Sequence, residues 1–170
     1  MNSTGRSNLF RLFTAAGVAM LMASCSGLFS HKEKPPGQIT NVKYFLLDLS
    51  VPLIPSDDPS ILFERQYHLY GAVNQKDVSE RAGHYYTVFW SVADRTQPVK
   101  VRLEYRQQKT GLAIKTKEME INEIGRSNIT RFQVTGDEFL KDGHVSCFHI
   151  TLVRGKEILA DNKSFMWERK

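Results

Sequence analysis

The sequence predicts an all-β protein: a single antiparallel β-sandwich of about seven to eight strands, preceded by a cleaved export signal and a flexible tether. Three observations carry this prediction. Val99-Lys-Val-Arg-Leu-Glu-Tyr-Arg106 alternates strictly, with Val99, Val101, Leu103 and Tyr105 on one face and charged side chains on the other, the pattern of a half-buried strand. Turn signals recur at intervals of ~8–12 residues, the spacing of short strands in sandwiches and barrels. From Ile39 onward no long stretch carries a 3.6-residue apolar period.

The chain divides into residues 1–24, 25–38 and 39–170. Arg6 and Arg11 are the only charged side chains before Cys25, and the uncharged run Leu12–Met22 and the small pair Ala23-Ser24 follow them. A basic start, an apolar core of ~7–15 residues and small residues at the cut build a secretory signal peptide, and the run is shorter than the ~20 residues of a spanning helix. Residues 25–38 read as a linker. Pro35-Pro36-Gly37 cannot continue a helix, and no apolar period is present.

In the body, strands are expected at 41–50, 66–73, 84–93, 99–106, 112–121, 129–135, 145–153 and 157–167. Val51–Ser60 holds three prolines, which remove ladder donors and fix φ, so it reads as a loop. Strand 84–93 carries aromatics on both faces and is expected at the centre of a sheet. Gly136–Gly143 reads as a loop or one helical turn, and Arg154-Gly155-Lys156 as a tight turn joining the last two strands.

Leu21-Met22-Ala23-Ser24-Cys25 resembles the lipobox of bacterial lipoproteins, with Met22 where Leu, Val or Ile is usual. The resemblance implies that the Cys25 thiol takes a diacylglycerol before the chain is cut between Ser24 and Cys25, and that the new α-amine of Cys25 is then acylated. Ser26 in place of Asp implies default sorting to the outer membrane of a diderm envelope. Stable attachment needs about two membrane signals, which multiple acyl chains provide. Trp90 followed by Cys147 resembles the strand-C tryptophan and strand-F cysteine of immunoglobulin domains. The strand-B cysteine has no counterpart in Tyr67–Val73. This resemblance implies an immunoglobulin-like sandwich and no particular function.

The composition excludes some functions. The formal charge is +5, and without Arg6 and Arg11 there are 21 basic against 18 acidic side chains, or +3. That mild excess is spread along the chain and is no nucleic-acid stripe. Lipidation of Cys25 leaves Cys147 without an intramolecular partner, so it is expected buried and inert. His68, His84, His144 and His149 lack metal-ligand spacing, although His84 and His144 each follow a glycine at a strand start. Asp57 and Asp58 are adjacent and lack the spaced oxygen set of a calcium loop. Glu118, Glu120 and Glu123 with Lys115 and Lys117 read as a charged strand edge. No cofactor, metal site or catalytic signature is expected.

The candidate ligand or partner surface comprises Tyr85, Phe89, Asp57 and Asp58. The expected function is that of a membrane-anchored, non-enzymatic binding or envelope-assembly module. One alternative is a carbohydrate-binding module using Tyr85 and Phe89 as an aromatic platform, which requires those rings to face solvent. A second is an accessory lipoprotein of a secretion machine. The expected partners are the membrane, through Cys25, and an envelope protein.

Overall fold

A computed structural model describes residues 35–50 and 58–168; Cys25, Asp57 and the signal segment lie outside the described residues. Seven strands form two antiparallel sheets. They are β1 (Gly37–Leu47), β2 (Gly83–Val92), β3 (Val99–Gln107), β4 (Lys115–Ile121), β5 (Asn128–Thr135), β6 (Val145–Arg154) and β7 (Glu157–Lys163). The three-stranded sheet has the order β1-β2-β5 and the four-stranded sheet the order β4-β3-β6-β7. First, second and fifth strands thus face third, sixth and seventh, as in immunoglobulin-like sandwiches, with the fourth strand added to the second sheet. Trp90 therefore sits on the second strand, in the B position and not the C position that the resemblance implied.

The core follows from alternation. Tyr86, Val88 and Trp90 of β2 meet Val101, Leu103 and Tyr105 of β3, Phe132 and Val134 of β5, and Ile150 and Leu152 of β6, all buried. Trp90 keeps its one polar atom satisfied by donating Nε1–H to Thr130 Oγ1 at 2.9 Å. Arg154 and Glu157 pair across a turn at Gly155, whose φ of +58° suits glycine. β4 is a sheet edge, with Glu118 and Glu120 exposed and Lys115 and Lys117 half-buried. Lys115 and Lys117 also reach Glu138 at 3.3 and 2.9 Å. That residue lies on a short helix, Asp137–Asp142, in the expected loop or helical turn.

Five elements differ from expectation. Segment 66–73 is no strand: helix α1 spans Pro59–Leu69, and α2 follows at Gln75–Arg81. The β-prone Tyr67, Tyr70 and Val73 misled, because start signals override propensity here. Asp58 caps α1 by accepting the Ser60 N–H at 2.8 Å, and Pro59 opens the first turn. Asn74 and Asp77 form a reciprocal capping box on α2. Of the expected loop 51–60, residues 51–57 lie outside the described residues, and Asp58–Ser60 begin α1. β1 starts at Gly37, two residues inside the expected tether, and β4 and β7 are shorter than expected at Lys115–Ile121 and Glu157–Lys163. We designate the helix Asp137–Asp142 α3.

Gly83 opens β2 with φ +144°, and a Cβ there would lie 2.2 Å from the Val134 carbonyl oxygen. Gly83→Ala is expected to cost at least about 2 kcal/mol, because both backbone strain and a backbone clash oppose it. Gly111→Ala, at φ +62° in open space, is expected to cost about 1 kcal/mol. Urea unfolding of the two variants checks the difference, and equal costs would refute this role for Gly83.

Candidate functional groove

The outer face of the three-stranded sheet is a grid set by register. Asn41, Phe89 and Ile129 form one row, Lys43, Thr87 and Arg131 the next, and Phe45, Tyr85 and Gln133 the third. Strands ~4.8 Å apart put the Lys43 and Arg131 backbones ~10 Å from each other, on either side of Thr87.

Helix α1 is seated on the third row. The His68 ring stacks on Tyr85 with centroids 3.6 Å apart and on Phe45 at 5.4 Å. Tyr85 donates its hydroxyl proton to the Arg81 carbonyl at 2.6 Å. Arg81 donates from its guanidinium to the carbonyls of His68, at 3.3 Å, and Tyr70. A cation thus satisfies the C-terminal end of α1. Burial holds His68 below the ordinary histidine range, against the pull of Glu64 at 3.5 Å. A neutral ring stacks without the cost of desolvating a charge.

The two uncovered rows and the wall of α1 leave an open groove of about 960 Å³. Phe63 and Tyr67 of α1, stacked on each other at 6.2 Å and mostly exposed, line one side. Lys117 and Met119 of β4 also line it. The Lys43 ammonium lies 5.7 Å from the Phe89 ring centroid. Neither Lys43 nor Arg131 has a carboxylate within 4 Å among the described residues. The groove joins aromatic area to two cations that no carboxylate among the described residues pairs within 4 Å.

Of the candidate surface, Tyr85 and Phe89 are brought to this face and both are half-buried. Both line the groove, and His68 occupies one face of Tyr85. Asp58 is a helix cap, and Asp57 lies outside the described residues. Lys43, Arg131, Phe63 and Tyr67 were missed. Phe63 and Tyr67 stand four residues apart, so recognising Asp58-Pro59-Ser60 as a helix start would have placed them on one face.

The histidines divide similarly. His84 and His144 meet at one end of the sandwich, with ring centroids 5.7 Å apart, and Phe139 of α3 packs edge-on to both. His84 accepts the Val145 N–H on Nε2 at 3.0 Å, which leaves Nδ1 to donate to the Tyr44 hydroxyl at 2.8 Å. Both nitrogens are engaged, in a ring that is 1% exposed. His149 lies between Glu104 at 3.4 Å and Asp161 at 3.1 Å. Among the described residues no group of three or more His, Cys, Asp or Glu could hold a metal ion. Cys147 is a free thiol and is buried.

Compared with known protein families, with curated proteins and with solved structures, the chain matches none. The groove must be interpreted from its own chemistry.

Burial, reinforced by His144, pushes His84 down to about 4 from an ordinary 6.5. The unfolded chain therefore takes up this proton below pH 6.5 while the folded chain refuses it until about pH 4. Stability is lost as pH falls through that window, by about 3 kcal/mol from this group. Urea midpoints measured from pH 7 to 4 are expected to fall less steeply in His84→Gln. An unchanged pH dependence would refute the assignment.

Proposed function

We propose that this chain is a lipoprotein of the bacterial envelope, held by a lipid on Cys25, whose sandwich binds an envelope partner through the groove and carries out no catalysis. The observation that carries the binding is the groove itself: exposed aromatic side chains beside two cations with no counter-ion among the described residues. Aromatic side chains and arginine, here Phe63, Tyr67, Phe89 and Arg131, are what protein recognition sites enrich. A face with no task would be expected to neutralise its charges locally, as the other sheet does through Lys100–Glu118 and Arg102–Glu118.

Several features support the anchor and the absence of chemistry. The Leu21–Cys25 lipobox resemblance supplies the lipid, and Ser26 favours the outer membrane. Eleven residues lie between Cys25 and β1, and a linker of that length can span on the order of 20 Å. His84 has no free nitrogen to act as a base, and Cys147 is buried. A protein partner fits the groove better than a sugar stacked on two rings, because His68 already covers a face of Tyr85. Service to a secretion machine is one setting for such a module.

In cells fed labelled palmitate, the parent chain is expected to take the label and sediment with membranes. Cys25→Ser is expected to lose the label and enter the soluble envelope fraction. A parent that took no label, with a Cys25→Ser form that stayed on membranes, would overturn the anchor.

A further inference from the structure

The groove has a polarity that specifies its ligand more closely. Its central row sets the Thr87 hydroxyl between Lys43 and Arg131, while the neighbouring row offers Phe89 and a half-exposed Ile129. Thr87 makes no side-chain hydrogen bond among the described residues, and Arg131 makes neither a side-chain hydrogen bond nor an ion pair. The other charged groups of the groove are differently placed. Glu118 is held by Lys100 at 3.2 Å and Arg102 at 2.6 Å, and Lys117 by Glu138 at 2.9 Å. Glu64, whose one ion-pair partner among the described residues is His68 at 3.5 Å, puts a carboxylate on the α1 wall. The groove is therefore positive along Lys43–Thr87–Arg131 and negative at α1.

We infer that this groove binds an extended acidic peptide segment of a partner protein, its carboxylates on Lys43 and Arg131 and an adjacent apolar side chain on Phe89 and Ile129. The inference rests on reading the groove as the binding face, and it adds the chemistry of the partner. Two cations ~10 Å apart at the backbone, on flexible stems, match carboxylates two residues apart on an extended chain, which lie ~6.7 Å from each other. Arg131 can grip one of them with two parallel N–H donors. Thr87, Asn41 and Gln133 supply hydrogen-bonding groups suited to a peptide backbone. Glu64 fixes the direction of approach by repelling acidic side chains from the helix wall.

The test uses the full chain in neutral detergent with fluorescein-labelled decapeptides. One alternates Glu and Leu, and a second has every Glu replaced by Gln. The glutamate peptide is expected to bind at least about tenfold more tightly than the glutamine peptide, with affinity falling as salt rises. Lys43→Ala with Arg131→Ala is expected to abolish that preference. Phe89→Ala is expected to weaken both peptides several-fold. Glu64→Gln is expected to tighten the glutamate peptide about two- to fivefold, a gain that misfolding cannot produce. Equal affinity for the two peptides, absence of binding to the glutamate peptide, or a preference that survives the double variant would overturn the inference. So would stronger binding of polygalacturonate or of short-chain phosphatidylglycerol at the same residues, which would make the groove a glycan or lipid site. These measurements do not involve Cys25, so failure of the anchor and failure of the acidic peptide are separately visible.

Discussion

The stacking of His68 on Tyr85 is the contact on which the candidate site depends. A three-stranded sheet has a narrow outer face, and alone it would be a shallow plane. Seating α1 over one row of that face turns the remaining two rows into the floor of a groove. The ring-to-ring separation of 3.6 Å requires a ring that can leave water cheaply, and burial supplies this by favouring the neutral imidazole. Arg81 completes the arrangement from α2 by accepting the Tyr85 hydroxyl on its carbonyl while its guanidinium holds the end of α1. No residue of α1 is buried, so side-chain stacking and capping, not core burial, hold the helix in place.

The two outer faces of the sandwich use charge in opposite ways. On the four-stranded sheet Glu118 bridges Lys100 and Arg102, His149 lies between two carboxylates, and Arg106 lies over Trp167 at 4.9 Å. Such exposed pairs contribute little to stability, but they satisfy the face within the chain. On the three-stranded sheet Lys43 lies near the Phe89 ring, but neither it nor Arg131 has a carboxylate within 4 Å among the described residues. This asymmetry between two faces of one domain is what distinguishes the proposed binding surface from the other face.

Much of the sandwich was legible in the chain because alternation is a local property. Val99–Arg106, Gly83–Val92 and Val145–Arg154 each show their buried face within a few residues, and each is a strand. The hairpin turn at Gly155 and the short helix between Gly136 and Gly143 were legible for the same reason, since turn chemistry acts on its immediate neighbours. Segment 66–73 was misread because Tyr67, Tyr70 and Val73 have strand propensity, while the signals that decide the helix, Asp58-Pro59-Ser60, lie outside that segment, before its first residue. Of the site, Phe89 and Tyr85 were legible as aromatics on the second face of a central strand. Lys43 and Arg131 were not, for each looks like an ordinary outward charge on its own strand.

What the sequence by itself determined is the class of fold, the buried faces of its strands and the lipobox-like segment ending at Cys25, because these are set by the period of two and by local chemistry. The tertiary structure alone decided which charges share a surface. Lys43 and Arg131 stand 88 positions apart and meet only because β1 and β5 both pair with β2. The packing of one sheet on the other decided it for His84 of β2 and His144, which directly precedes β6. Alternation tells each strand which side chains to hide, but it carries no information about which strand lies beside it, and a binding face is made from that adjacency.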